Sequence, residues 1–92
     1  MLQSEPEDVF LNYALAMAMM AEGSDDDALS QLEHVIDLDP DYVASYFQLG
    51  QAYARAGKVE LSRDALERGI RAARRTGDSH ALSEMTGFLE LL

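Results

Sequence analysis

The chain has no cysteine. That excludes a disulfide framework, thiolate chemistry and any zinc site built on sulfur, and it fits a reducing compartment. Proline occurs twice, at Pro6 and Pro40. No apolar run approaches the ~18 residues of a membrane span, so no membrane partner is expected. Residues 1–54 contain eleven acids and no lysine or arginine, and all seven bases lie between Arg55 and Arg75. The net charge of −10 argues against nucleic acid, which demands a positive face. The opening stretch, Met1 to Asp8, is acidic and so unlike a signal or transit peptide. The expected setting is the cytoplasm, for a whole protein or for a domain of a larger one. Ninety-two residues make one small domain, which buries a modest fraction of its surface.

The most organised stretch is Tyr46 to Gly57, Y-F-Q-L-G-Q-A-Y-A-R-A-G. Its apolar residues recur every three or four positions, the helical period. Gly50 sits inside that helix, where glycine costs ~1 kcal/mol relative to alanine. A helix accepts that cost where another helix must come close. Gly57 reads as the C-terminal stop.

The same reading gives four further helices. Ser4, Pro6 and Glu7 predict a helix start with a capping box, and that helix runs to about Ala21 and stops near Gly23. Apolar groups cover more than half its circumference. Ser24 to Asp27 caps a second helix, to about Asp37, with carboxylates at the favourable end of the dipole. Asp39-Pro40-Asp41 separates it from the third, Tyr42 to Ala56. The fourth runs from Lys58 to about Arg75 with Leu61, Ala65, Leu66, Gly69, Ile70 and Ala73 inward. Asp78 or Ser79 caps a fifth, to about Leu91, in which Gly87 is a weak point.

Shifting the chain along itself until Val9 falls on Val43 reproduces the pattern. Leu15, Ala18, Gly23, Leu32, Glu33 and Ile36 then fall on Leu49, Ala52, Gly57, Leu66, Glu67 and Ile70, identical in type. Ala16 falls on Gly50 and Ala28 on Ser62, small on small. A 34-residue period of helix, glycine turn and helix resembles the tetratricopeptide repeat. The family pattern W-x2-L-G-x2-Y stands here as Tyr46-x2-Leu49-Gly50-x2-Tyr53, and the closing proline as Pro40. The first repeat departs from it with Asn12 and Met19 at the two aromatic positions, and the second ends in Arg74 where the family has proline. The resemblance implies an all-α, right-handed α-α superhelix within one domain, 1–92. Repeat one would cover about 7–40 and repeat two about 41–76. A capping helix, about 78–92, would cover the last apolar face, as stacked repeats require.

Motifs for chemistry fail one by one. Asp37-x-Asp39-x-Asp41 begins like a calcium loop, but Tyr42 and Gln48 stand where that loop needs Gly and Glu. His34 and His80 lack the three or four converging ligands of a stable metal site. No nucleophile elbow or phosphate-binding glycine loop is present. Neither a catalytic residue, a metal nor a cofactor is expected, and the protein reads as a non-enzyme.

Surface is what remains. The resemblance puts the first helix of each repeat on a concave groove and the second on the convex side. It assigns Phe10, Tyr13, Met17 and Met20, with Phe47, Gln51 and Arg55, to a groove that binds a peptide or protein surface. An apolar, methionine-rich groove is adaptable. The family's carboxylate clamp needs Lys and Asn where this chain has Tyr13 and Met17, so that activity is not expected. The charge asymmetry reads either as solubility, including adaptation to high salt, or as a convex basic patch for an acidic partner, Arg68, Arg71, Arg74 and Arg75. The alternative function is a self-assembling unit, a homodimer through Phe10, Tyr13, Met17 and Met20.

Overall fold

The computed structural model describes residues 8–92. Within them α1 (Val9–Ala21) starts where the Asp8 carboxylate accepts the Leu11 N–H at 2.9 Å. The capping box expected from Ser4 to Glu7 lies outside the described residues. Gly23 closes α1, and α2 (Asp25–Leu38) follows with Asp25, Asp26 and Asp27 in its first turn. Ser24 holds the N-cap place but makes no side-chain capping bond, so the dipole interaction of those carboxylates is the main end effect. At the Asp39-Pro40-Asp41 turn, Asp39 Oδ1 accepts the Asp41 N–H at 3.0 Å, a local turn bond rather than a calcium loop. Then come α3 (Val43–Arg55), α4 (Val59–Thr76) and α5 (Ser79–Glu90). Asp78 caps α5 by accepting the Ala81 N–H at 3.0 Å.

Gly57 takes φ +77°, with nothing within 4 Å of where a Cβ would stand. Only the dihedral demands glycine there, and Gly23 and Gly77 end α1 and α4 the same way.

Each helix packs on the next in the chain, α1 on α2 through to α4 on α5, and α5 also reaches α3. The described residues form a slab of 40 × 30 × 17 Å. Its thickness is less than two helix diameters of about 10–12 Å, so the core is one layer deep. Leu32, Leu49, Leu66 and Met85, one from each of α2 to α5, are completely buried in it.

Two glycines set the closest crossings. A Cβ on Gly50 would stand 2.6 Å from Leu66 Cδ2, which accounts for the glycine the sequence places mid-helix. Gly69 is tighter. A Cβ there would stand 2.5 Å from both Tyr46 Cβ and Met85 Sδ, so α3, α4 and α5 meet at this residue. The buried hydroxyls stitch backbones together. Ser62 Oγ donates to the Gly50 carbonyl at 2.6 Å and Ser45 Oγ to the Leu32 carbonyl at 2.9 Å.

Leu61 corrects one expectation. It was read as inward and is 48% exposed. Five residues at about 100° each put it about 140° around α4 from Leu66, outside the buried stripe.

Candidate functional site

No charged side chain interrupts α1 from Val9 to Ala21. Tyr13 packs on Tyr42 at the foot of α3, with ring centroids 5.1 Å apart and planes tilted by 52°. Burial pushes the Tyr13 phenol above its ordinary pKa. Negative charge on Tyr42 would push it the same way, and a hydrogen bond with Gln48 opposes both. At the other end of α1, Arg55 Nη2 lies 3.0 Å from Met20 Sδ. These two contacts tie α1 to α3 along one side of the molecule. Met17 and Gln51, which hold the same place in the two repeats, are half-buried, and Phe10 is 66% exposed. Phe47 meets Phe88 of α5 edge-on at 6.0 Å. An open depression of about 350 Å³ lies beside Tyr42, lined also by Asp41, Val43, Ala44, Thr76 and Asp78.

Sequence reasoning missed Tyr42 and Phe88. Tyr42 stands just outside α3, so no helical spacing marks it. Phe88 recurs at helical spacing in α5, yet nothing in that spacing says α5 returns against α3.

The four arginines of the expected convex patch divide into two kinds. Arg68 reaches back to α2, with Nη2 3.2 Å from Glu33 Oε2, and also pairs with Asp64 at 3.1 Å. Its guanidinium carbon lies 5.7 Å from the centroid of the Tyr46 ring, within cation–π range. Burial pulls the Arg68 pKa down, but the hydrogen bond and charge of Glu33 more than offset it, leaving the pKa raised. Arg75 pairs with Asp41 at 2.8 Å and donates to the Pro40 carbonyl at 3.2 Å. Arg71 and Arg74 are exposed. So half of the patch joins the basic second half of the chain to its acidic first half.

Asn12, at an aromatic position of the expected pattern, is met by Gln31 Nε2 of α2, which donates to its side-chain oxygen. The corresponding pair in the second repeat is Tyr46 and Ala65. Tyr46 instead donates its hydroxyl to the Pro40 carbonyl at 2.6 Å. His80 is exposed and lies 3.4 Å from Glu84, one turn on. Among the described residues, no three His, Asp or Glu side chains gather to hold a metal.

Two family models match this chain, "TPR repeat" over residues 16–57 and "Tetratricopeptide repeat" over residues 43–76. A relative from Pseudomonas aeruginosa, TPR repeat-containing protein PA0015, is 33% identical over all 92 residues and 88% of its own length. The chain belongs to the tetratricopeptide repeat family. The fold agrees. A tetratricopeptide repeat domain protein from Salinibacter ruber, solved by NMR, superposes with TM-score 0.86 at 36% identity, over 91% of this chain and 85% of that one. Protein BPP2914 from Bordetella parapertussis gives TM-score 0.83 at 28% identity, over 97% and 77%. Tetratricopeptide repeats are generally protein–protein interaction modules. Among the described residues, no helix is long and apolar enough to cross a membrane.

Proposed function

We propose that this tetratricopeptide repeat protein is a non-catalytic interaction module, and that it holds a peptide or protein surface along the side shared by α1 and α3. The observation that carries this reading is the run of apolar, incompletely buried groups there. Phe10, Tyr13, Met17 and Met20 belong to α1 and Phe47, Gln51 and Arg55 to α3, with Met20 against Arg55. Phe88 extends the run on to α5. Apolar groups that stay accessible in a folded chain mark surfaces for partners. Methionine and aromatic side chains adapt to varied contacts, and Gln51 and Arg55 supply polar groups that fix direction. Arg55 also offers a cation to the carboxylate of an incoming peptide. The cysteine-free composition fits a cytoplasmic setting.

The test is a selection of random peptides on the immobilised chain, repeated on a Phe10→Ala/Met17→Ala variant. Peptides enriched by the first should lose at least about tenfold in affinity for the second, the ~1.4 kcal/mol expected of a lost apolar anchor. Equal binding to both would place the site elsewhere.

A further inference from the structure

The methionines among the described residues fall into two groups. Met85 is completely buried. Met17, Met19 and Met20 lie towards the end of α1 and are half-buried. Their counterparts in α3, Gln51, Tyr53 and Ala54, are half-buried as well, so this exposure belongs to the repeat position. Of the three, Met20 is set apart by its partner. Its Sδ lies 3.0 Å from Arg55 Nη2, in a contact open to solvent. A thioether is only a weak acceptor, and here it faces the only base on α1 or α3.

We propose that Met20 is a redox-modification site, at which hydrogen peroxide converts the thioether to a sulfoxide and the new oxygen binds Arg55. In that step a sulfur lone pair attacks one peroxide oxygen and the O–O bond breaks. The proton on the transferred oxygen passes to the departing hydroxide, which leaves as water. Sulfur is oxidised by two electrons and peroxide reduced by two, and methionine sulfoxide reductases reverse the change. The oxygen forms beside a guanidinium that carries five donors. A weak N–H···S contact is thereby exchanged for a charge-assisted hydrogen bond, roughly twice as strong as a neutral one. Met20 ends α1 and Arg55 ends α3, so the product ties the two helices together more firmly. It also holds back the cation that Arg55 offers to the carboxylate of an incoming peptide. That last consequence rests on the peptide-binding reading, and the chemistry at Met20 does not.

Treatment with hydrogen peroxide, followed by peptide mass mapping, tests the site. Met20 should gain one oxygen at least about tenfold faster than Met85, which local opening must first expose. Comparable rates at the two residues overturn the proposal. Melting points before and after oxidation test the new bond, in the unsubstituted chain, Met20→Leu, Arg55→Ala and the double variant. Oxidation at Met17 and Met19 is common to all four, so the cycle isolates the Met20–Arg55 pair. The melting shift on oxidation should be more favourable in the unsubstituted chain than in any variant, by at least about 2 °C. An equal shift in all four overturns the bond to Arg55. Neither measurement uses a peptide, so both decide the chemistry at Met20 whatever peptide selection yields. For selected peptides that end in a carboxylate, oxidation should weaken binding, and by less in Met20→Leu. Equal weakening in the two chains would remove the link between Met20 and binding.

Discussion

Helices α1 and α3 hold the same place in the repeat, yet α3 buries Val43, Ser45, Tyr46, Leu49, Gly50 and Ala52 while α1 buries Ala16 alone. Val9, Leu15 and Ala18 match Val43, Leu49 and Ala52 in type, so at those positions it is the neighbours that differ. α3 lies between α2 and α4, whereas α1 packs on α2. Burial at a repeat position therefore comes from what stacks beside it, as expected of a quasi-one-dimensional array. The two helix pairs also solve one joint with opposite chemistry. Asn12 and Gln31 make a polar link in the first. Tyr46 over Gly69, with Arg68 against its ring, makes an aromatic one in the second.

Removing residues 78–92 should break the second pair down towards the exposed condition of the first. Met85 is completely buried, and truncating such a methionine typically costs ~2–5 kcal/mol. For a domain of this size each kcal/mol moves the melting point by ~4–8 °C. Calorimetry should show a loss of more than about 10 °C, together with aggregation. A monomeric truncation with an unchanged melting point would mean that α5 covers nothing.

Gly69→Val sharpens the contrast, since the matching residue in α2 is Val35, itself completely buried. The new side chain meets Tyr46 Cβ, which cannot swing away, and denaturant titration should report a cost of ~2–3 kcal/mol. Gly50→Ala installs the residue that the first pair carries at Ala16. Its Cβ would meet Leu66 Cδ2 at 2.6 Å and Cγ at 2.7 Å, and Leu66 is fully buried with little room to turn. The ~1 kcal/mol gain in helix propensity offsets part of that overpacking, so a net loss of about 1 kcal/mol is expected. Gly50→Leu exceeds the available space and should cost ~1–3 kcal/mol.

Arg68→Met removes one of the two links between the acidic and basic halves, leaving Arg75 on Asp41. Both Arg68 and Glu33 are partly solvated, so the loss should be ~1 kcal/mol or less. The remaining stability should depend less on salt.

The smallest effect lies in alkali. Tyr13, Tyr42, Tyr46 and Tyr53 all have raised pKa values, with desolvation the leading cause of each. Ionised tyrosine is thus favoured in the unfolded chain. The contribution of these groups is complete below pH 10 and is lost as pH rises through their folded values. Melting points recorded from pH 8 to 11 should fall only above about 10, and by less in Tyr13→Phe. A decline that begins near neutrality would point to another group.

Helix positions and turns were readable because periodic spacing, Gly23, Gly57, Gly77 and the Asp39-Pro40-Asp41 break act within a few residues of themselves. The close crossing at Gly50 was readable because glycine inside a helix needs a reason. Gly69 needed one too, but its reason is α5, and a helical period says nothing about which helix comes to rest on it. Leu15 and Leu61 carry the same limit, since an apolar residue at the edge of a stripe is buried or not according to its neighbour. Asn12 departs from the family pattern until Gln31 is seen facing it. Arg68 and Arg75 look like a free patch in sequence, because their partners Glu33 and Asp41 stand a whole repeat away, beyond any local rule. Of the expected interaction residues, the contacts Tyr13–Tyr42, Met20–Arg55 and Phe47–Phe88 show how α1, α3 and α5 are joined. Only the Met20–Arg55 contact pairs two residues of that set.

Packing that runs mainly from each helix to the next also governs how the ends communicate. α1 and α5 have no extensive contact with each other, so the main route from a ligand on one to the other runs through α3. Local opening at either end need not disturb the middle, and amide exchange should be slowest in α3 and quicken outward in both directions. Ligand that bridges α1 and α5 would slow exchange at both ends together, an effect that binding to one helix alone could not produce.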